Sequence, residues 1–330
     1  MVPIFSAAGQ EEPVPIFEAI ENKITNAAHR GDATQLPNLL DQAAAIDLSR
    51  TLDIASRHTV DGAVIAGSWR PSPAEARKLF PTIAGAPHSS YRDHLLLGMV
   101  NTWVKTTPED AEKSVASVKD ESLRSYLRDN LKLSLLHFQP ARALQNAITH
   151  YRQPHAIKVK DAANALAKAD LPAATEALKT IPKKLSAART TLVTSIAATW
   201  SKRDLAAASS WARALTNEAE KSVAYEEIAY VWSKTDTSGA GKWVTGLPPS
   251  PPRDAATRAL VFHSSAREPE KAFAWAQLIG DIPLRQTCLA TALIAWTSSD
   301  REAATAALEA SDISGATKKT LLEFTRPSAD

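Results

Sequence analysis

The sequence predicts an all-α protein built as a right-handed α-solenoid of about eight or nine helical hairpins. Three observations predict it. A motif recurs about every 32 residues, only 6% of residues are aromatic while Ala and Leu abound, and the 330-residue chain has just 11 glycines. An all-β chain with many tight turns needs more glycine, and Ala and Leu are strong helix formers. With 44% hydrophobic and 22% charged residues, the chain has material for a sizeable core. One cysteine, Cys288, excludes an internal disulfide and a Cys-rich zinc site. No unbroken apolar run is long enough for a membrane span. The start, Met1 to Ala8, lacks the basic region of an intact signal peptide. The compartment stays open: cytoplasmic, or exported after loss of a leader.

The repeat is clearest from Trp200. Trp200, Asp204, Ala208 and Trp211 are matched by Trp232, Asp236, Ala240 and Trp243, and by Trp296, Asp300 and Ala304. Ser264 takes the first slot between them, with Glu268, Ala272 and Trp275. Upstream, Leu166, Leu135, Trp103 and Trp69 fill the same slot, and a degenerate ninth unit surrounds Ala28–Asp32. Residues 18–325 therefore read as one repeat array. Residues 1–17, with Pro3, Pro13 and Pro15, read as an extended or disordered lead-in, and 326–330 as a tail.

Each slot has a mechanical reading. The first residue lies near the end of a first helix. Four residues on, Asp, Glu, Gln or Thr caps a second helix, and Pro follows in Thr107-Pro108, Gln139-Pro140 and Glu268-Pro269. The Ala four residues later permits close helix approach. Pairs such as Ile196/Ala197 and Ile228/Ala229 form the buried stripe of the first helix. Two helices of about 12–15 residues plus two turns fill one period, and only stacking buries their stripes. Trp200, Trp211, Trp232, Trp243, Trp275 and Trp296 are expected to be largely buried between hairpins.

The run Asp204 to Leu215 and the turn Arg30-Gly31-Asp32-Ala33 resemble the tetratricopeptide-like class of helical-hairpin repeats. The resemblance spans residues from about 28 to 310. It departs from that class in its period, in Ala197 and Ala229 where that family has a small glycine, and in a shorter Ala-to-aromatic spacing. It implies a scaffold whose first helices line a peptide-binding groove. The Trp, Asp, Ala, Trp layout also resembles repeat arrays of uncharacterised, often exported bacterial proteins. That implies a bacterial source and no activity.

Charge is segregated. Residues 130–203 hold 12 basic and 3 acidic residues, although the whole chain carries only +2. Consecutive hairpins lie side by side in a solenoid, so this block would form a basic band. Its candidate partner-binding residues are Arg142, Arg152, Lys158, Lys160, Lys183, Lys184 and Arg189, with Lys158 and Arg189 favoured as first-helix residues. An acidic peptide, a nucleic acid or another anionic polymer would suit the band. A solvated surface balanced by neighbouring acids is the alternative. Phe138 and Tyr151 are too few aromatics for a base-stacking platform, so nucleic acid is not favoured.

No enzymatic constellation emerges. His150 and His155 flank Pro154 and do not share a helix face, and no His-Glu-x-x-His run exists. Cys288 reads as a buried structural thiol. Glu226-Glu227 read as solvated acids, and Asp170, Asp204, Asp236 and Asp300 as N-caps. No metal, cofactor or catalytic residue is expected. The function expected is a non-enzymatic scaffold binding a peptide or partner helix, with an anionic-polymer binder as the alternative.

Overall fold

The computed structural model describes residues 13–30, 35–47, 50, 51, 54, 73–86, 88, 90–153 and 155–323. These are helical, with no strand among the described residues. The slot Trp69, the turn Gly31-Asp32 and the tail lie outside them. The chain divides into two compact units, residues 1–143 and 144–330, where the sequence alone reads as one array.

The first unit contains α1 (Pro13–His29), α2 (Leu36–Ile46), α3 (Pro73–Gly85), α4 (Ser90–Thr106), α5 (Pro108–Ser117) and α6 (Glu121–Phe138). Helix α1 begins inside the segment expected to be an extended lead-in and buries Phe17, Ile20 and Ile24 at helical spacing. The unit boundary falls within α7 (Pro140–Thr149). The second unit continues with α8 (Val159–Ala169), α9 (Leu171–Thr180), α10 (Ser186–Arg203), α11 (Leu205–Ala214), α12 (Glu218–Ser233) and α13 (Thr237–Thr245). It ends with α14 (Pro251–Ser264), α15 (Pro269–Ala276), α16 (Ile282–Ser299), α17 (Arg301–Ala310) and α18 (Gly315–Leu322).

The aspartate caps fall where the repeat places them, whereas Thr107 and Glu268 hold the N-cap position without a side-chain cap bond. Asp170, Asp204, Asp236 and Asp300 each accept a hydrogen bond from the backbone N–H three residues on, at 2.8–2.9 Å. Each thereby satisfies one of a helix's orphan donors. Pro108, Pro140 and Pro269 open α5, α7 and α15. The repeat alanines Ala111, Ala143, Ala174, Ala208, Ala240, Ala272 and Ala304 are all fully buried. The two helices of a hairpin are unequal, however. From α10 onward the first helix runs 14–18 residues and the second only 8–10. Pro and polar connections absorb the difference.

In the second unit the first helix of each hairpin packs on the first helix of the next, in the order α8, α10, α12, α14, α16. The second helices α9, α11, α13 and α15 each bridge the two first helices that flank them. Ile196, Ala197, Ile228, Ala229, Leu260, Val261, Ala292 and Leu293 form the continuous core along this row. Polar links also reach one repeat on. Ser195 Oγ donates to Asn164 Oδ1 at 2.8 Å, and in the first unit Ser134 Oγ bonds Asn101 Oδ1. Arginines close helix C-termini: Arg92 Nη1 donates to Ala86 O at 2.9 Å, and Arg124 Nη1 to Val118 O at 2.7 Å.

The tryptophans divide. Trp103 is fully buried, and Trp296 is buried. Trp200, Trp211, Trp232, Trp243 and Trp275 are half-buried instead of enclosed. For the first four the reason is pairing within a hairpin. Trp200 and Trp211 lie 5.8 Å apart, Trp232 and Trp243 6.0 Å apart, so each indole covers its partner and leaves an outer edge to solvent.

Candidate partner-binding face

The sequence-derived candidates separate once their partners are seen. Arg142 lies in the first unit and pairs there with Glu109 and with Glu112, at 2.9 Å to the latter. Arg189 Nε lies 2.6 Å from Glu220 Oε1, and its Nη1 donates to Leu178 O and Ile181 O at 2.6 Å. That pair is buried and ties α10 to the N-terminal turn of α12 while closing the C-terminus of α9. Arg152 is exposed and turned onto its own Tyr151, 2.8 Å from the hydroxyl. Lys158 stands at the start of α8, Lys160 within it, and Lys183 and Lys184 in the link to α10. All four lysines are exposed, and none has an ion-pair partner among the described residues. Lys184 and Tyr151 line a shallow groove of about 320 Å³ with Ile148, Val159, Leu185 and Thr191.

A second face was not anticipated. Helix α12 is capped by Asn217, which accepts from Ala219 N and Glu220 N, and it buries Ala224, Tyr225, Ile228 and Ala229. Helix α14 is capped by Ser250 and buries Ala256, Thr257, Leu260 and Val261. With those stripes turned inward, Glu226 and Tyr230 share another face of α12, as Arg258 and Phe262 do on α14, each pair four residues apart. Tyr230 is 40% exposed, Phe262 53%, and Ile294 at the same register of α16 is 49% exposed. These three stand 32 positions apart in the sequence, two residues before the repeat slot. Ala198 holds that register in α10, half-buried, and in the first unit Leu133 of α6 holds it at 66% exposure. Asn101 of α4 and Asn164 of α8 hold it with a polar side chain, so the signal in the sequence was an apolar residue at this offset in the repeats from 198 onward.

Between α12 and α14 lies a groove of about 450 Å³, lined by Glu226, Glu227, Tyr230, Arg258, Phe262 and His263. Arg258 Nη2 is 2.5 Å from Glu226 Oε2, a pair joining the two helices. Tyr230 carries Lys234 Nζ over its ring at 3.8 Å and meets the His263 ring edge-on at 6.0 Å. Glu227, expected to be a solvated acid, is half-buried and makes no hydrogen bond or ion pair among the described residues. Burial pushes its carboxyl above the usual range, against the opposing pull of Lys234 and Lys202. Burial likewise pushes His263 below its ordinary value, aided by Arg267 and Lys234. His263 Nε2 is enclosed and makes no hydrogen bond. No hydrogen bond joins Glu227 to His263, and neither serine nor cysteine lines the groove. The groove offers apolar surface and an unpaired carboxyl.

Among the described residues no group of three or more His, Cys, Asp and Glu could hold a metal ion. Among them, no helix is long and apolar enough to cross a membrane. No protein-family model matches the chain, and neither a curated protein nor a solved structure is significantly similar to it.

Proposed function

We propose that the chain is a non-enzymatic scaffold of tetratricopeptide-like hairpins that binds a partner protein segment on the exposed face of its first helices. Within each unit the hairpins would wind as a right-handed α-solenoid. The row of first helices α8 to α16, bridged by the second helices, supports that arrangement. One observation carries the binding reading: Tyr230, Phe262 and Ile294, one per helix in one register, all stand exposed. Large apolar side chains repeated on an outer face contribute nothing to the core, and contiguous exposed apolar surface marks interaction sites. Helical-hairpin arrays bind extended or helical segments along such faces.

The test is the double variant F262D/I294D. Photo-crosslinking from a reactive residue at position 262 should trap a discrete partner in an extract of the source cells. The same probe at exposed Ala274, on the second helix α15, should not. The double variant should compete poorly with wild type for that partner while keeping the parent's helical spectrum. Equal competition would remove this face from the proposal.

A second reading rests on the four unpaired lysines, Lys158, Lys160, Lys183 and Lys184, which suit an anionic polymer or an acidic peptide. Retention on heparin or DNA at low salt, lost at high salt and lost on reversal of these lysines to Glu, would favour it. Arg142 and Arg189 are engaged with carboxylates and add little to that reading.

A further inference from the structure

Resting on the scaffold reading, we propose that the groove between α12 and α14 receives a Lys or Arg side chain that the partner carries within an apolar segment. Glu227 of α12 lines the groove. Its carboxyl is half-buried and forms no ion pair, and Lys234 and Lys202 pull on it only from beyond pairing distance. Arg258 is held by Glu226 at 2.5 Å, and Lys234 lies on the Tyr230 ring at 3.8 Å. A carboxylate partly removed from water without a partner is unfavourable, and a cation brought to it relieves that cost.

The walls select the same chemistry. Tyr230 and Phe262 offer aromatic surface, which accommodates the methylene stem of a Lys or Arg and attracts its charged head. His263, held toward the neutral form, adds no positive charge to oppose an incoming cation. An acidic side chain would meet two carboxylates at this point. A purely apolar one would bury Glu227 further and leave it unpaired. The neighbouring exposed Ile294 and the ring of Phe262 require apolar residues beside the cation.

The test is selection of a random-peptide phage library on the full chain. Wild type should enrich peptides with Lys or Arg at one fixed position inside an apolar frame. A synthetic peptide of the selected consensus should bind about tenfold more tightly than its copy with norleucine in place of the basic residue, a difference of about 1.4 kcal/mol. Against E227Q the two peptides should bind alike. The norleucine comparison alters only the probe, so it stands even if E227Q is poorly folded. Peptides that need Phe262 but carry no basic residue would overturn this inference and leave the scaffold reading intact. So would a basic peptide that prefers wild type and E227Q equally over its norleucine copy. Selection of no peptide sensitive to F262D would overturn both.

Discussion

Arg189 and Glu220 meet 31 positions apart in the chain, Nε to Oε1 at 2.6 Å and Nη2 to Oε2 at 3.1 Å. Their side chains are only 12% and 8% exposed. The contact joins the consecutive first helices α10 and α12, and the same guanidinium closes the C-terminus of α9, the second helix that precedes them.

Removing one partner of a buried pair leaves the other charge uncompensated. Arg189→Ala should therefore destabilise the second unit by about 3–5 kcal/mol in urea unfolding. Lys160→Ala and Lys184→Ala, at exposed unpaired positions, should stay within about 0.5 kcal/mol of the parent.

Two glycines should respond in opposite directions. A Cβ on Gly241 would stand 2.5 Å from Trp275 Cζ2, against an indole that is itself packed. Gly241→Ala should cost about 1–3 kcal/mol through overpacking. At Gly98, in the middle of α4, no neighbouring heavy atom lies within 4 Å of the added Cβ. Gly98→Ala should stabilise by about 1 kcal/mol, the ordinary gain of Ala over Gly in a helix. Melting temperatures of the two variants should fall on opposite sides of wild type.

Glu227 and His263 give the protein a pH signature. A carboxyl raised on folding contributes stability that is present below its unfolded value and lost as pH rises through the folded value. Its window opens near 4.5 and extends upward. Glu227→Gln should therefore match wild type at low pH and exceed it progressively toward neutrality. A histidine lowered on folding works in the other sense. Its contribution is full above 6.5 and is lost as pH falls through the folded value. His263→Gln should flatten the loss of stability on acidification below 6.5. Melting scans across pH read both slopes.

Cys288 is buried in α16, and desolvation pushes its thiol up to about 11. Since the thiolate is the reactive form, iodoacetamide at mildly alkaline pH should leave native protein largely unlabelled. Urea should release rapid labelling. Labelling of native protein at the rate of a free thiol would show that α16 opens readily.

The frame of the fold was readable because local chemistry dictates it. Asp204, Asp236 and Asp300 cap helices by contacts three residues away, and the buried alanines recur at one offset from them. What escaped depends on neighbours a full repeat distant. Nothing near Arg189 in the sequence points to Glu220. Yet basic residues at 92, 124, 189, 221, 253 and 285 follow the period closely enough to have suggested a structural task. The repeat slots place the tryptophans on the buried face of their helices. For Trp200, Trp211, Trp232 and Trp243 pairing at the hairpin edge sets the exposure, and pairing is a property of two helices together. Tyr230, Phe262 and Ile294 escaped because the repeat was aligned on what it buries.

Those three side chains also constitute a ruler. Packed helices stand about 8–10 Å apart, and each of three consecutive helices contributes one mark. A polyproline II segment advances about 3.1 Å per residue with about three residues per turn, so it meets successive marks with every third residue. An α-helix advances 1.5 Å per residue, so it meets them about every five to seven. A partner that touches all three must carry its apolar residues in one of those rhythms. Insertion of one further hairpin would lengthen the scale by one division without changing its spacing.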